Sequence, residues 1–187
     1  MLFRLSIVGR PNVGKSTLFN RLVGKKSAIV NNLAGVTRDI KEAEAKLNNI
    51  KYTVIDTAGL EDAKKDSLQH RMSSLSIKAI SSAHACIFVV DSRVGMTGAD
   101  YTYAALVRRK AKNVILVANK AEGAAAQPGI YEASALGLGH PIAVSAEHGI
   151  GIDQLNEKIQ DLMNFNNSFG NSLNNKDRIS EDDSLIE

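Results

Sequence analysis

The chain has 187 residues, enough for one domain with a sizeable core and too few for two comfortable ones. It is 44% hydrophobic and 23% charged, the balance of an ordinary globular protein. Its apolar runs fall far short of the ~20 residues that cross a bilayer, and its first residues, broken by Gly9, are too short for a secretory signal, so no membrane partner is expected.

Apolar runs and helical patterns alternate along the chain, beginning with a buried strand over Phe3–Val8. Directly after it comes Gly9-Arg10-Pro11-Asn12-Val13-Gly14-Lys15-Ser16, followed by Thr17 and a helical pattern over Lys15–Val23. Strand, glycine loop and helix in this order form the phosphate-cradling Walker A arrangement. The glycines let successive amides curl around phosphates, and the helix N-terminus adds a favourable dipole. Lys15 would neutralise phosphate charge, and Ser16 would offer its hydroxyl to Mg²⁺.

Lys41–Leu47 and residues 51–55, with Asn48-Asn49 between them, read as a hairpin that adds one antiparallel edge strand. The strand over 52–55 leads into Asp56-Thr57-Ala58-Gly59. There a carboxylate can hold Mg²⁺ through water, and Gly59 lets a backbone amide approach the γ-phosphate. A helical pattern over 67–81 precedes a strand over 87–90. Cys86, the single cysteine, lies in the apolar run 85–90, which excludes an internal disulfide and predicts a buried thiol in a reducing cytoplasm.

A helix over 99–109 ends in the basic cluster Arg108-Arg109-Lys110, with Lys112 just beyond, where cations suit the helix dipole. The next strand, 114–118, runs into Asn119-Lys120-Ala121-Glu122. A carboxylate here can accept guanine N1–H and N2–H₂, a donor pair that adenine does not present in that arrangement. After a helical pattern over 129–136 and a strand over Ile142–Val144 comes Ser145-Ala146-Glu147, whose backbone can donate to guanine O6. Each loop alone is common; the ordered set, each after its own strand, predicts a guanine nucleotide.

A last helix is expected over 152–165, and the asparagine-rich, acidic residues 166–187 read as a flexible linker or tail. Net charge is +3, with −3 on residues 165–187 and therefore +6 on residues 1–164, a body basic enough to suit RNA phosphates or simply a solvated surface. The four histidines show no metal-ligand spacing.

Together GRPNVGKSTLFNRLVGKKSAIV (9–30), AGVTRD (34–39), DTAGL (56–60), DSRVGMTGAD (91–100), NKAE (119–122) and SAEHGIG (145–151) resemble the Era-like, translation-factor-related P-loop GTPases. Within them the chain is similar to ribosome-assembly members that carry two tandem GTPase domains and a small KH-like RNA-binding domain. The resemblance implies a three-layer α/β sandwich over residues 1–165, with a mostly parallel six-stranded sheet and helices on both faces. It implies a monomeric switch that exchanges GTP and GDP, acts in the cytoplasm on a ribosomal subunit or rRNA, and leads through 166–187 to a second GTPase domain.

It also implies that Thr37 contacts Mg²⁺ in the GTP state and that 25–40 and 57–75 are the switch regions. Leu60 stands where Ras-type enzymes carry the glutamine that orients water, and an apolar side chain cannot do that. Relatives of this kind use K⁺ held by the asparagine three residues before the P-loop lysine, here Asn12. Glu122 replaces the family's usual aspartate: the carboxylate is kept and reaches one methylene further.

Overall fold

The computed structural model describes residues 2–24, 41–57 and 74–179. The described residues form a six-stranded sheet, in the order β2-β3-β1-β4-β5-β6, from β1 (Phe3–Val8), β2 (Lys41–Leu47), β3 (Ile50–Asp56), β4 (Ala85–Asp91), β5 (Val114–Asn119) and β6 (Ile142–Val144). All neighbours are parallel except β2 and β3, as the hairpin reading requires. The turn between them is made by Asn48 and Asn49 at φ of 46° and 68°. Both central residues of a tight hairpin turn need positive φ, which asparagine tolerates better than most side chains.

Five helices cover the sheet among the described residues: α1 (Lys15–Val23), α2 (Ser74–Ser82), α3 (Gly98–Lys110), α4 (Gln127–Ala133) and α5 (Ile152–Ile179). Because successive strand residues face opposite sides, β4 splits its side chains between two cores. Ile87 and Val89 pack with Leu18, Phe19 and Leu22 of α1 and with Leu155, Ile159 and Met163 of α5. Cys86, Phe88 and Val90 pack with Ile80 of α2, with Tyr103 and Val107 of α3, and with Leu136. Burial pushes the Cys86 thiol up to about 12, so it is a packing group rather than a nucleophile.

Two element boundaries differ from expectation. The pattern over 129–136 is a short α-helix, Gln127–Ala133, that tightens into a 3-10 turn over Ser134–Leu136, with Pro128 in its first turn. Residues 166–179, read from composition as a linker, continue the backbone of α5. Asparagine and serine are weak helix formers, not breakers, and no proline interrupts them. A helix already fixed by Leu155, Ile159 and Met163 needs only propagation to run on. Among the described residues, no helix is long and apolar enough to cross a membrane.

The fold places β1 between β3 and β4, with α1 on one face and α2 on the other. The loop after β1 therefore opens at the switch point of strand order, where parallel α/β sheets bind ligands. Beside it at the same edge lie the ends of β3, β4 and β5, carrying Asp56, Asp91 and Asn119.

Candidate functional site

The loop from Gly9 to Ser16 is shaped by backbone conformations that most side chains avoid. Gly9 has φ of 154°, and a Cβ there would stand 2.2 Å from the Val89 carbonyl oxygen. Asn12 lies at φ of 66°. Gly14, at φ of 96°, caps α1 without any side-chain hydrogen bond, and the helix has no acid in its first turn. Its leading amides thus carry no side-chain cap and no acid from the helix's own first turn, an arrangement that suits phosphate.

Lys15 is buried, and its Nζ donates to the carbonyls of Gly9 at 2.6 Å and Arg10 at 2.8 Å. Pro11, Asn12, Gly14, Lys15, Ser16, Thr17 and Lys120 line a cavity of about 500 Å³. At its floor the Ser16 hydroxyl donates to Asp56 Oδ2 at 2.9 Å, and Thr57 donates to the Ile7 carbonyl at 2.8 Å, tying the end of β3 to β1. A hydroxyl and a carboxylate this close, next to a phosphate cradle, fit a hard divalent cation. Among the described residues no three His, Cys, Asp or Glu side chains cluster as metal ligands, so such an ion would draw most of its oxygens from phosphate and water.

Asn119 joins three loops. Its Nδ2 donates to the Val13 carbonyl at 2.8 Å, and its Oδ1 accepts the Ala146 amide at 3.0 Å. The phosphate loop, residues 119–122 and residues 145–146 are one hydrogen-bonded unit. A Cβ on Gly14 would lie 2.3 Å from Asn119 Nδ2, so the glycine also makes room for this bridge. Lys120, at φ of 62°, donates to the Asn12 carbonyl at 2.9 Å and to Asp91 Oδ2 at 2.6 Å. The Ala121 amide donates to Val144 O.

Glu122 is ion-paired through Oε1 to Arg93, while its Oε2 is buried with no hydrogen-bond partner. The Ser145 hydroxyl and the residue's own amide, with help from Arg93, hold its carboxyl below the usual range. Glu122 is thereby kept as the carboxylate, the form that can accept from a guanine edge.

Several contributors carry no clear sequence signal. Arg21, on α1, donates to the carbonyls of Ala146 at 3.0 Å and Glu147 at 2.6 Å, clamping that loop onto the phosphate-binding helix. Asp91 and Ser92, hidden in the sequence as the polar end of an apolar strand, brace residues 119 and 120. Burial works against Asp91's charge, but Lys120 and the amides of Arg93 and Val94 outweigh it and hold the carboxyl low.

Arg10 leaves the phosphate loop to pair with Asp100 Oδ2 at 3.2 Å. Asp100 is fully buried and caps α3 together with Thr97. Arg10→Ala leaves that carboxylate with Thr97 alone, and a loss of about 2 kcal/mol is expected in urea unfolding, less than for a fully buried pair because Thr97 still donates. Arg10→Lys should recover part of it.

Of the expected site residues, Gly9 to Thr17, Asp56, Thr57, Asn119 to Glu122, Ser145 and Ala146 come together at this edge. Thr37, Ala58, Gly59 and Leu60, with most of 25–40 and 57–75, lie outside the described residues.

A family profile described as 50S ribosome-binding GTPase matches residues 4–120. Two proteins named GTPase Der are similar: that of Dinoroseobacter shibae is 56% identical over 87% of this chain and 33% of its own length. That of Roseobacter denitrificans is 58% identical over 83% of this chain and 32% of its own. The chain thus spans about a third of the curated relatives it matches. Among solved structures, Aquifex aeolicus Era bound to GDP.AlF4- superposes with a TM-score of 0.68 at 31% identity, covering 86% of this chain and 56% of that one. Era in complex with MgGDPNP and nucleotides 1506-1542 of 16S ribosomal RNA gives 0.68 at 29% identity, over 86% and 56%.

Proposed function

The chain belongs to the 50S ribosome-binding GTPase family, and from that premise we propose that it is the nucleotide switch of a ribosome-assembly GTPase, binding GTP with Mg²⁺ and hydrolysing it to GDP and phosphate. The observation that carries this reading is the bridge through Asn119, which makes the phosphate loop and the loops at 119–122 and 145–146 a single unit. Era, similar at 31% identity, has been captured with GDP.AlF4-, whose planar fluoride mimics a phosphoryl group in transfer.

In this reading Lys15 and the leading amides of α1 hold the β- and γ-phosphates. Ser16, Asp56 and Thr37 would hold Mg²⁺, which would supply positive charge against the phosphates. The Gly59 amide meets the γ-phosphate, Glu122 accepts from guanine N1 and N2, and the backbone of residues 145–147 supplies the donor to O6. Water attacks in line, and the loose phosphoryl transition state demands no strong side-chain base. Residues 1–165 are the switching domain, and 166–187 lead towards a second GTPase domain. The switched partner is the large ribosomal subunit, in the cytoplasm. Co-sedimentation with 50S subunits should be stronger with a non-hydrolysable GTP analogue than with GDP; equal binding in both states contradicts a switch.

Leu60 cannot orient water, and Asn12 would hold a K⁺ that could supply the stabilising charge instead. Turnover in potassium should exceed that in sodium by at least about tenfold, a modest fraction of what one preorganised charge contact supplies. Asn12→Gly keeps the positive φ and deletes the amide oxygen, and should abolish that difference. Equal rates in both salts for the unaltered chain would remove potassium from the mechanism.

A further inference from the structure

Three consecutive residues, the last of β4 and the two after it, hold the end of β5 and the loop that follows. Asp91 Oδ2 accepts Lys120 Nζ at 2.6 Å. Ser92 donates its hydroxyl at 2.7 Å and its amide at 3.0 Å to the Asn119 carbonyl. Arg93 donates to Glu122 Oε1. The Arg93 amide is itself fixed, donating to Asp91 Oδ1 at 3.0 Å, so the guanidinium springs from a braced turn.

We propose that Arg93 is a positioning residue for base selectivity, fixing the Glu122 side chain in one rotamer through its hold on Oε1. This rests on the reading of Glu122 as the guanine acceptor. Glutamate has one more rotatable bond than aspartate, and an unanchored side chain loses that freedom when it grips a base. Arg93 removes it beforehand by taking Oε1 alone. It approaches from the solvent side, its side chain 54% exposed against 18% for Glu122. Oε2 is enclosed by the chain on the Ser145 side, so both ends of the carboxylate are fixed before any base arrives.

The test is equilibrium competition by GDP and by inosine diphosphate, which lacks the N2 amino group, against a fluorescent GDP analogue on the whole chain. Arg93→Ala is expected to weaken GDP about fivefold, the scale of a half-exposed ion pair, and inosine diphosphate less, so that the preference for GDP shrinks. Arg93→Lys should restore part of the preference. In a Glu122→Ala background, Arg93→Ala should change nothing further. Inosine diphosphate binding reports that the phosphate site is intact in each variant. Unchanged GDP preference in Arg93→Ala, with Glu122→Ala reducing it, overturns the role of Arg93 while sparing Glu122. Tighter GDP binding in Arg93→Ala makes Arg93 a competitor and overturns it too. A GDP preference untouched by Glu122→Ala shows that the underlying base reading has failed, and the inference falls with it.

Discussion

Replacing Lys15 with alanine is expected to lower GTP hydrolysis by roughly 10³-fold, the scale of losing one preorganised charge contact to a transition state. The structure explains why this should be a functional loss and not an unfolding. Lys15 Nζ donates to the Gly9 and Arg10 carbonyls at 2.6 and 2.8 Å, and Lys15 itself lines a cavity of about 500 Å³, from which water can take the place of the lost side chain. The melting temperature without nucleotide should therefore move little. The shift produced by GDP, about 2.7 kcal/mol at a hundred times the dissociation constant for the unaltered chain, should largely vanish. Stopped-flow phosphate release and a melt with and without GDP separate the two effects.

Asn119→Ala should do the opposite and damage both fold and site. It strips the Val13 carbonyl and the Ala146 amide of a partner at once, in a region closed to solvent. Each buried orphan costs about 1–3 kcal/mol, so a loss of roughly 2–4 kcal/mol is expected in urea unfolding. GDP affinity should fall with it, because the loops meant for phosphate and for base are no longer held in register. If Asn119→Ala left stability unchanged, the bridge would not be the element that unites the site.

Much of this was legible in the sequence because strands and glycine loops announce themselves locally. The apolar runs marked the strands, the paired asparagines marked a turn that needs positive φ twice, and each polar motif followed a strand. The bracing was not legible. Arg21 and Ala146 are 125 residues apart, and nothing in either local pattern points to the other. Arg93 sits in a motif whose resemblance to relatives was plain but whose partner, Glu122, is set by the side-by-side pairing of β4 and β5. The length of α5 was missed for another reason: composition measures the lack of a core, whereas a helix already anchored at Leu155, Ile159 and Met163 can extend without one.

The central claim is that the loops joined by Asn119 make a guanine-specific hydrolase out of a general phosphate cradle. Phosphate release from GTP and from ATP, at equal concentration in Mg²⁺ and potassium, tests it most directly. GTP should be turned over and ATP at least about 100-fold more slowly, since a site built around buried hydrogen bonds rejects a base that leaves them unmade. ATP hydrolysed as fast as GTP would contradict it.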